Sequence, residues 1–569
     1  MTYDYIIVGG GSAGSVLANR LSAKSVNKVL LCEAGQDTPH GKVPEAILDS
    51  YPGVAAIDKQ FLWADLKVST EVISHNVPPV DERPPLRDYA QARVLGGGSS
   101  INGQLANRGA PADYDEWERR GATGWSWKDV LPYFKRIERD MDFEGPYHGD
   151  SGRIPVRRIF PELWTEHAKA MAEAFASAGY EFIPDQNARY EDGYFPIPIS
   201  NAYERRVSAA IGYLDPAVRL RDNLTISTDT VVTELCFDGV RCTGVKALVE
   251  GKEIEFRGGE VILSSGAINS PAHLLRAGIG PALALQTLGI GVLANVAGVG
   301  QGLQDHPSIA LASFLKPQAR MNDFSRRHIQ VGLRYSSGIE QSPDGDMFVA
   351  VASKSAWHAV GNQIGTMLLC VYKPYSETGQ VRLASAHWRD QPIVEFNLLS
   401  DRRDLDRLMQ GYRMLAPLHE HPAMQAVTSD PFPAVWGEKV RQAGPVTAKN
   451  RLITNLAAKL LDGPNGLRRW LMRRFVMDDY RTEHLMTDDE ALEDFVRKAT
   501  IGVWHASCTC RMGLDTDPMT VTDSAARVRG VQGLRVCDAS VFPVVPRANT
   551  NFPTLMTAEK IAQSILDGN

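Results

Sequence analysis

A short glycine-rich turn near the start of the chain constrains the fold more than any other feature. Gly9, Gly11 and Gly14 have the spacing G-x-G-x-x-G, between an apolar run at 3–8 and an amphipathic run at 12–21. In such a turn the first glycine makes the bend, and the second lets backbone amides approach a pyrophosphate. The third lets helix and strand pack closely. The sequence therefore predicts the strand, phosphate-binding turn and helix that open a dinucleotide-binding fold.

An acidic residue follows this turn at the expected distance. A second apolar run, Lys28–Cys32, ends at Glu33. A carboxylate about twenty residues after the turn binds ribose hydroxyls in dinucleotide folds. A glycine-rich turn without a ligand is the less favoured interpretation in this context. The glycines at 298–302 lack the third glycine at the right offset, so the sequence predicts a single bound dinucleotide.

Length and composition limit the class of protein. At 569 residues the chain exceeds what one hydrophobic core usually supports, so we expect two intertwined domains. The apolar content of 44% and charged content of 22% are ordinary for a soluble globular protein. A net charge of −6 gives no reason to expect nucleic acid. Seven scattered cysteines suit a reducing compartment, and neither a signal peptide nor a membrane span is evident. A cytoplasmic location is predicted.

A second glycine-rich segment lies at 93–103, with three glycines and two serines in succession. Such small residues cannot fill a core. Their amides and hydroxyls suit a backbone that lies against a flat or anionic ligand. A plain surface loop is the alternative.

Two C-terminal segments carry candidate chemistry: 502–513, which contains His505, and 546–554, which contains Asn549. Together with the glycine-rich segments they resemble the glucose–methanol–choline family of FAD-dependent oxidoreductases. The resemblance covers essentially the whole chain. Within the family it is greatest to the bacterial hydroxymethylfurfural-oxidase and choline-dehydrogenase-like types. The matching segments are 9–14, 96–103, 266–280, 299–306, 373–383, 505–513 and 538–554.

The resemblance implies FAD-dependent oxidation of a primary alcohol to an aldehyde. The hydroxyl proton must leave as hydride passes to the flavin, and a neutral imidazole suits the removal of that proton. The resemblance places His505 there as the catalytic base. It places Asn549 beside it, where the amide donates a hydrogen bond to the alkoxide. The alternative for His505 is a histidine buried for packing alone.

The resemblance also implies the residues that bind FAD. Some members bind it covalently through a histidine that aligns with Ile101 here, so we expect a non-covalent flavin. The predicted cofactor residues are Gly9, Gly11, Ser12, Ala13, Gly14, Glu33, Ala34, Trp63, Arg93, Leu95, Gly98, Ser99, Asn102, Gly103, Val232, Gly266, Trp504, Asp538, Ala539, Asn549 and Thr550.

A metal site is the alternative use of His505, Cys508 and Cys510. Zinc takes four ligands, or three and a water, and no further Cys/His pair has ligand spacing. If this segment is a strand, the two thiols point the same way and pack together. We therefore expect no metal.

The fold class implied is α/β, with a Rossmann-like FAD-binding domain interleaved with a substrate-binding domain on an antiparallel sheet with helices. Alternating runs at 223–237 and 244–256 predict strands, and Ser270-Pro271 predicts a helix start. The FAD-binding domain is predicted at 1–155, 213–308 and 491–569. The substrate domain is predicted at 156–212 and 309–490.

The substrate and the electron acceptor are less constrained. Val503 and Trp504 give an apolar, aromatic wall, which favours an aromatic or furan-like alcohol over a sugar. The acceptor is oxygen or another carrier such as a quinone, and no short motif separates the two. A non-redox enzyme of the hydroxynitrile lyase or photodecarboxylase type and a non-catalytic binding protein are further alternatives.

A basic insertion lies at about 434–474. Leu467, Trp470, Leu471 and Phe475 recur there at helical spacing. Two interpretations stay open: a solvated helix over the substrate entrance, or peripheral membrane or acceptor contact through 439–474. The basic residues are Lys439, Arg441, Lys449, Arg451, Lys459, Arg468, Arg469, Arg473 and Arg474.

Overall fold

The structure is a computed structural model that describes residues 2–71, 86–321, 326–435, 437–477 and 479–568. Its α-helices span Ser12–Ser22, Glu45–Leu48, Gly98–Ile101, Pro111–Arg119, Trp127–Ile137, Glu166–Ser177, Ala209–Tyr213, Pro216–Arg219, Gly266–Arg276, Ala282–Thr287, Arg402–Leu415, Pro422–Val427, Glu438–Ala443, Ala448–Leu461, Asn465–Phe475, Thr482–Leu485, Asp489–Ala499 and Asn551–Leu566. None of the described helices is long and apolar enough to cross a membrane.

A seven-stranded sheet carries the N-terminal turn. The opening strand Thr2–Val8 lies between Val29–Cys32 and Lys252–Leu263 and runs parallel to both. Ile6 and Ile7 are completely buried, as expected for a strand covered on both faces. The strand order is Leu224–Ser227, Val29–Cys32, Thr2–Val8, Lys252–Leu263, Arg241–Val249 and Thr230–Asp238, with Leu534–Val536 also pairing to Lys252–Leu263. The predicted strand, turn and helix are confirmed.

A second seven-stranded sheet is antiparallel throughout. Its order is Thr428–Ala434, Pro307–Leu315, Ile364–Val371, Met347–Ala352, Ile329–Tyr335 and Gly193–Pro196, with Ile501–Gly502 also pairing to Pro307–Leu315. Smaller sheets are formed by Gln301–Leu303, Gly379–Arg382, Ile393–Glu395, Lys67–Ser69 and Arg87–Asp88; by Glu138–Asp140, Ile154–Arg157, Ile199–Ala202 and Arg205–Arg206; and by Ile279–Gly280 and Ala294–Asn295.

Each large sheet has its own hydrophobic core. The core of the mainly parallel sheet draws on residues from Ile6 to Ile565. The core of the antiparallel sheet draws on residues from Leu66 to Ala499 and includes the helix Arg402–Leu415. The predicted fold class, α/β with an antiparallel substrate sheet, is confirmed. The domain boundaries predicted from the sequence stay a prediction.

Three sequence predictions were wrong in their bounds. The runs at 223–237 and 244–256 were each expected to be one strand, but each is divided by a turn. Asp229, with φ of +50°, separates the first pair of strands, and Glu250 and Gly251 are both left-handed between the second pair. Alternation of apolar residues continues through such turns and hides them. The helix expected from Ser270 begins at Gly266 instead.

Candidate active site

A cavity of about 540 Å³ opens at the carboxyl ends of the parallel strands Thr2–Val8 and Val29–Cys32. Dinucleotides bind at this edge of open α/β sheets. Two thirds of the predicted cofactor residues line it, namely Gly9, Gly11, Ser12, Ala13, Glu33, Ala34, Trp63, Arg93, Gly98, Val232, Gly266, Trp504, Asp538 and Ala539. Residues far apart in the chain are thus brought to one cavity, and their individual roles stay a prediction.

The N-terminal turn has the geometry that a pyrophosphate requires. A Cβ on Gly14 would lie 1.9 Å from the carbonyl oxygen of Gly9, so helix and strand touch through their backbones. Gly9 has a φ of +105°, which side chains disfavour. No acidic residue lies in the first turn of the helix Ser12–Ser22. The partial positive charge of its amides therefore faces the cavity with no carboxylate from the helix's own first turn beside it.

Glu33 is fixed at the end of its strand by backbone amides. Its Oε2 accepts a hydrogen bond from the Gly10 amide at 2.8 Å, and its Oε1 accepts one from the Gly35 amide at 2.8 Å. Burial raises the pKa of this carboxyl, while the two amides and the charge of Arg93 oppose that shift. Each oxygen keeps acceptor capacity towards the cavity, which suits ribose hydroxyls.

The other predicted cofactor residues do not line this cavity. The hydroxyl of Ser99 donates to the Gly96 carbonyl and accepts from the Ala209 amide. Asn102 Oδ1 accepts from Arg206 at 2.8 Å. These polar atoms hold the glycine-rich segment together instead of facing the cavity. The residues concerned are Gly14, Leu95, Ser99, Asn102, Gly103, Asn549 and Thr550.

Part of the cavity wall was not indicated by the sequence. It comes from the loop 388–392 and from Asn269, His273 and Arg276, which follow the predicted Gly266 on the helix Gly266–Arg276. In that loop the Arg389 guanidinium lies 4.4 Å from the centroid of the Trp388 ring. The loop 388–392 has no recognisable motif, because it contributes to the wall by its position and not by residue spacing.

His505 lies beside the cavity in a loop held by one buried carboxylate. Asp305 Oδ1 accepts hydrogen bonds from the amides of His505 (3.0 Å), Val503 (3.2 Å) and His306 (2.7 Å). Trp504 has a φ of +62°, a conformation that non-glycine residues rarely adopt. Strained backbone of this kind persists only where surrounding contacts hold it.

The expectation that Cys508 and Cys510 lie on a strand was wrong. The segment is a loop, and Cys508 has a φ of +75°. The Cys508 thiol lies 3.4 Å from Gln304 Oε1. All seven cysteines of the chain are free thiols in this structure.

The two imidazoles of the site determine each other's tautomers. His306 Nε2 lies 3.1 Å from the Pro546 carbonyl oxygen, which can only accept, so this nitrogen carries a proton. In neutral His306 the Nδ1 atom is then an acceptor. His505 Nδ1 lies 2.7 Å from it and must donate. The hydrogen-bond network therefore leaves the lone pair of neutral His505 on Nε2.

Burial keeps both imidazoles neutral. It lowers the pKa of His505 well below its usual value, and the adjacent His306 adds to the shift. It also lowers the pKa of His306 to about 4. Burial raises the pKa of Asp305 to about 7 against the opposing effect of the amides that donate to it. A neutral imidazole with its lone pair on Nε2 is an available base at physiological pH.

Asn549 faces that lone pair. Its Nδ2 lies 3.0 Å from His505 Nε2, and its Oδ1 accepts a hydrogen bond from the Tyr372 hydroxyl at 3.0 Å. The Tyr372 bond orients the amide with its donor towards His505. The backbone N–H of Asn549 donates a hydrogen bond to Asn107 Oδ1 at 3.0 Å. A hydroxyl placed here would meet one acceptor and one donor.

An apolar and aromatic wall continues from this pair. The Tyr372 ring stacks on Phe348 at 4.3 Å between centroids and on His306 at 4.9 Å. Val503 packs against the same cluster. Trp504, by contrast, lines the cofactor cavity and is 53% exposed. Val503 and Trp504 thus contact different groups, and their role as a common substrate wall stays a prediction.

Asp305, His306 and His505 lie close enough to offer three metal ligands. The two imidazoles, however, hydrogen-bond to each other through Nδ1, and Asp305 Oδ1 is used by three amides. The residues therefore fit a proton-transfer site better than a metal centre, and the expectation of no metal stays a prediction.

Sequence reasoning assigned no role to Asp305, His306, Tyr372 or Asn107. A signal existed for the first two, because adjacent Asp and His directly precede a strand in a segment that matches the family. Tyr372 directly follows the strand Ile364–Val371, and nothing in the local sequence marks it or Asn107 as functional.

Comparison with known proteins finds relatives over the full length of the chain. The family model described as GMC oxidoreductase matches residues 3–308 with its N-terminal part and 374–558 with its C-terminal part. The chain is 42% identical over 571 residues to 5-(hydroxymethyl)furfural oxidase of a Methylovorus species, covering 99% of this chain and 98% of that one. It is 31% identical to the oxygen-dependent choline dehydrogenase of Photobacterium profundum, covering 99% and 93%. Among solved structures, pyridoxine 4-oxidase from Mesorbium loti superposes with a TM-score of 0.81 at 24% identity, covering 99% of both chains.

Proposed function

Since this chain belongs to the GMC oxidoreductase family, we propose that it oxidises a primary, aromatic or furan-like alcohol to the aldehyde. The broader assignment is an FAD-dependent alcohol oxidoreductase. When bound, FAD supplies the acceptor for the hydride that leaves the alcohol carbon. The glycine turn, the helix N-terminus and Glu33 would hold its pyrophosphate and ribose. The observation that carries the proposal is the His505–Asn549 pair beside this cavity.

His505 acts as the base in this proposal. Its Nε2 takes the hydroxyl proton, while its Nδ1 proton stays in the hydrogen bond to His306. The imidazolium that forms keeps that bond, so the ring does not turn away during the reaction. The three backbone amides on Asp305 hold the loop that carries the ring.

Asn549 positions the substrate oxygen. Its Nδ2 donates to the oxygen as negative charge develops there, which stabilises the alkoxide where it forms. Tyr372 fixes the orientation of the amide, and Asp113 pairs with Arg547 at 2.8 Å to hold the loop that carries it.

The aromatic or furan-like preference is proposed from two observations. The wall of Val503, Phe348 and Tyr372 offers a flat, apolar contact. A relative at 42% identity carries the name 5-(hydroxymethyl)furfural oxidase. A sugar would leave several hydroxyls without partners against such a wall.

We further propose that FAD is held without a covalent bond, because Ile101 stands where a histidine would attach it and is buried. Acid precipitation of the yellow protein should leave the flavin in the supernatant. Colour that stays with the pellet after washing would contradict this.

Two acceptors remain candidates, oxygen and a membrane quinone. The quinone is favoured by one observation, an exposed apolar and basic surface on the helices Ala448–Leu461 and Asn465–Phe475. Oxygen is favoured by the name of the relative at 42% identity.

The test is to mix the holoenzyme anaerobically with a panel of alcohols, follow flavin absorbance, and then admit air. Aromatic and furan primary alcohols should bleach the flavin faster than sugars or secondary alcohols. Rapid recovery of colour in air would identify an oxidase, and recovery only with a quinone analogue a dehydrogenase. Unchanged absorbance with every alcohol would contradict alcohol oxidation.

A further inference from the structure

An exposed helical hairpin concentrates apolar surface in one part of the molecule. It consists of the helices Ala448–Leu461 and Asn465–Phe475. The exposed large apolar side chains of the described residues number 21, and eight of them fall between 446 and 475. Single exposed apolar residues are ordinary, whereas a contiguous group marks an interaction surface.

The first helix of the hairpin has two apolar faces. Thr454, Ala458 and Leu461 point inward and are buried. On the opposite side Leu452, Leu456 and Leu460 recur at intervals of four residues and are 72%, 61% and 43% exposed. A helix that only needs to pack on its own protein has one apolar stripe. The second stripe therefore has no function in the fold of the described chain.

The second helix repeats this pattern. Met472 is buried in a cluster with Phe314 and Phe432 of the antiparallel sheet, which fixes the hairpin by its inner face. On the outer face Leu467 and Trp470 are 40% and 59% exposed. Leucine stripes joined by tryptophan are typical of helices that lie in a membrane interface.

The charge of the hairpin is opposite to that of the protein. Between 446 and 475 the chain carries seven Lys or Arg residues and one acid, Asp462, in a protein of net charge −6. Arg468 and Arg469 form ion pairs with Asp430, with distances of 2.9 and 2.8 Å from each Nε to a carboxylate oxygen. The exposed cations that remain are Lys449, Lys459, Arg473 and Arg474, whereas the Arg451 guanidinium lies 5.9 Å from the centroid of the Trp357 ring.

We propose that the outer face of this hairpin docks the enzyme on an anionic lipid surface. The leucines and Trp470 insert between headgroups while the surrounding cations pair with lipid phosphates. A second copy of the chain fits less well. A two-fold contact would bring the same cations of both copies together. Docking does not depend on the alcohol or the acceptor, so it goes beyond the proposed function.

The test is sedimentation of the holoenzyme with vesicles of phosphatidylcholine, with or without phosphatidylglycerol. Binding should be about tenfold stronger with phosphatidylglycerol and should weaken at high salt. The triple variant Leu452→Ser/Leu456→Ser/Trp470→Ser should lose about tenfold or more of it. The control Leu163→Ser/Leu220→Ser/Leu283→Ser removes three exposed apolar residues elsewhere and should bind like the wild type.

A quadruple variant should weaken binding to the vesicles that contain phosphatidylglycerol and leave binding to pure phosphatidylcholine vesicles unchanged. Its substitutions are Lys449→Gln, Lys459→Gln, Arg473→Gln and Arg474→Gln. All variants should keep alcohol-dependent flavin reduction, which separates failure of docking from failure of the enzyme. The proposal would be overturned if the wild type sedimented equally with both kinds of vesicle. It would also be overturned if the triple variant at Leu452, Leu456 and Trp470 sedimented like the wild type. A wild-type dimer that this triple variant dissociates, without any vesicle binding, would overturn it as well.

Discussion

At the scale of single residues, one proton between His306 and His505 decides which nitrogen can act as a base. The Pro546 carbonyl fixes a proton on His306 Nε2. His306 Nδ1 must then accept the hydrogen bond that joins it to His505 Nδ1, so His505 is the donor. Neither histidine is tuned by a carboxylate in direct contact with its ring. In the proposed mechanism the base is therefore kept neutral by burial and by the order of these hydrogen bonds.

Replacing His505 by Ala should abolish proton removal without emptying the cofactor cavity. We expect flavin reduction to slow by about 10²–10⁴, the usual contribution of a general base. The measurement is an anaerobic single-turnover trace at equal flavin content. His484→Ala, at an exposed histidine on a surface helix, is the matched control and should leave the rate unchanged. An unaltered trace for His505→Ala would remove this residue from the mechanism.

The pH dependence follows from the lowered pKa of His505. A base whose pKa lies well below 6.5 stays deprotonated as the pH falls through 6.5. Flavin reduction by saturating alcohol should therefore stay level from neutral pH through 6.5 and decline only in more acidic buffer. Stopped-flow rates across this range test it, with flavin absorbance as the check for intact holoenzyme. A decline centred near 6.5 or above would show that the base is not shielded as the structure indicates.

At the scale of elements, the contact between the opening strand and the first helix has no room for a side chain. Glycine spacing made this contact readable from the sequence, because the turn, the close approach and the helix start depend on residues only a few positions apart. The same holds for Glu33, which ends the next strand. The hairpin could be predicted only in part: the spacing of Leu467, Trp470, Leu471 and Phe475 indicated the second helix, but the stripe on the first helix and the packed faces became visible only in the structure.

Gly14→Ala should separate strand and helix, because its Cβ would lie 1.9 Å from the Gly9 carbonyl oxygen. Overpacking of this kind costs about 1–3 kcal/mol. The melting temperature and the retained flavin should both fall, as measured by thermal unfolding and by absorbance after gel filtration. Gly466→Ala is the control, also in a helix but with nothing within 4 Å of the new Cβ. Equal losses in both variants would mean that the close contact is unimportant.

Much of the catalytic site could not have been read from the sequence. Asn107, His306, Tyr372, His505 and Asn549 meet across more than 400 residues of chain. No periodicity or spacing records such a meeting, because it depends on how two sheets are placed. The family resemblance supplied His505 and Asn549, whereas the partners that orient them became visible only as hydrogen bonds.

At the scale of the whole molecule, a buried ionic cluster joins segments on both sides of the predicted domain boundary near 155. Arg108 pairs with Glu138, and Arg158 pairs with Asp140 and Asp185. His148 lies among them, 2.7 Å from Asp185 and 3.0 Å from Asp140. Three cations thus offset buried carboxylates that would otherwise be costly.

This cluster predicts a pH-dependent stability. Burial alone would lower the pKa of His148, but hydrogen bonds to Asp140, Asp185 and Glu138 outweigh it and raise the pKa to about 10. A raised pKa contributes stability that is fully present below the ordinary value of 6.5 and is lost as pH rises through 10. The same contacts lower the pKa of Asp140 and Asp185. The contribution of these two carboxylates to folding stability is therefore lost only in strong acid.

His148→Gln should therefore lower the melting temperature most near pH 6, and the gap to the wild type should narrow towards pH 10. Breaking a buried pair costs about 3–5 kcal/mol, enough to be visible in thermal unfolding. His484→Gln, at an exposed histidine, should show no such trend. A gap that is constant with pH would contradict a charged His148.

The sheet that holds the opening glycines is completed by Leu534–Val536, and the wall of its cavity by residues as late as Thr554. During synthesis, the first residues of the site emerge from the ribosome long before the last. A nascent chain therefore carries a half-built flavin site through almost its entire translation. We therefore expect flavin to be captured late in biogenesis, and a chain that stops short of its final helix to retain none.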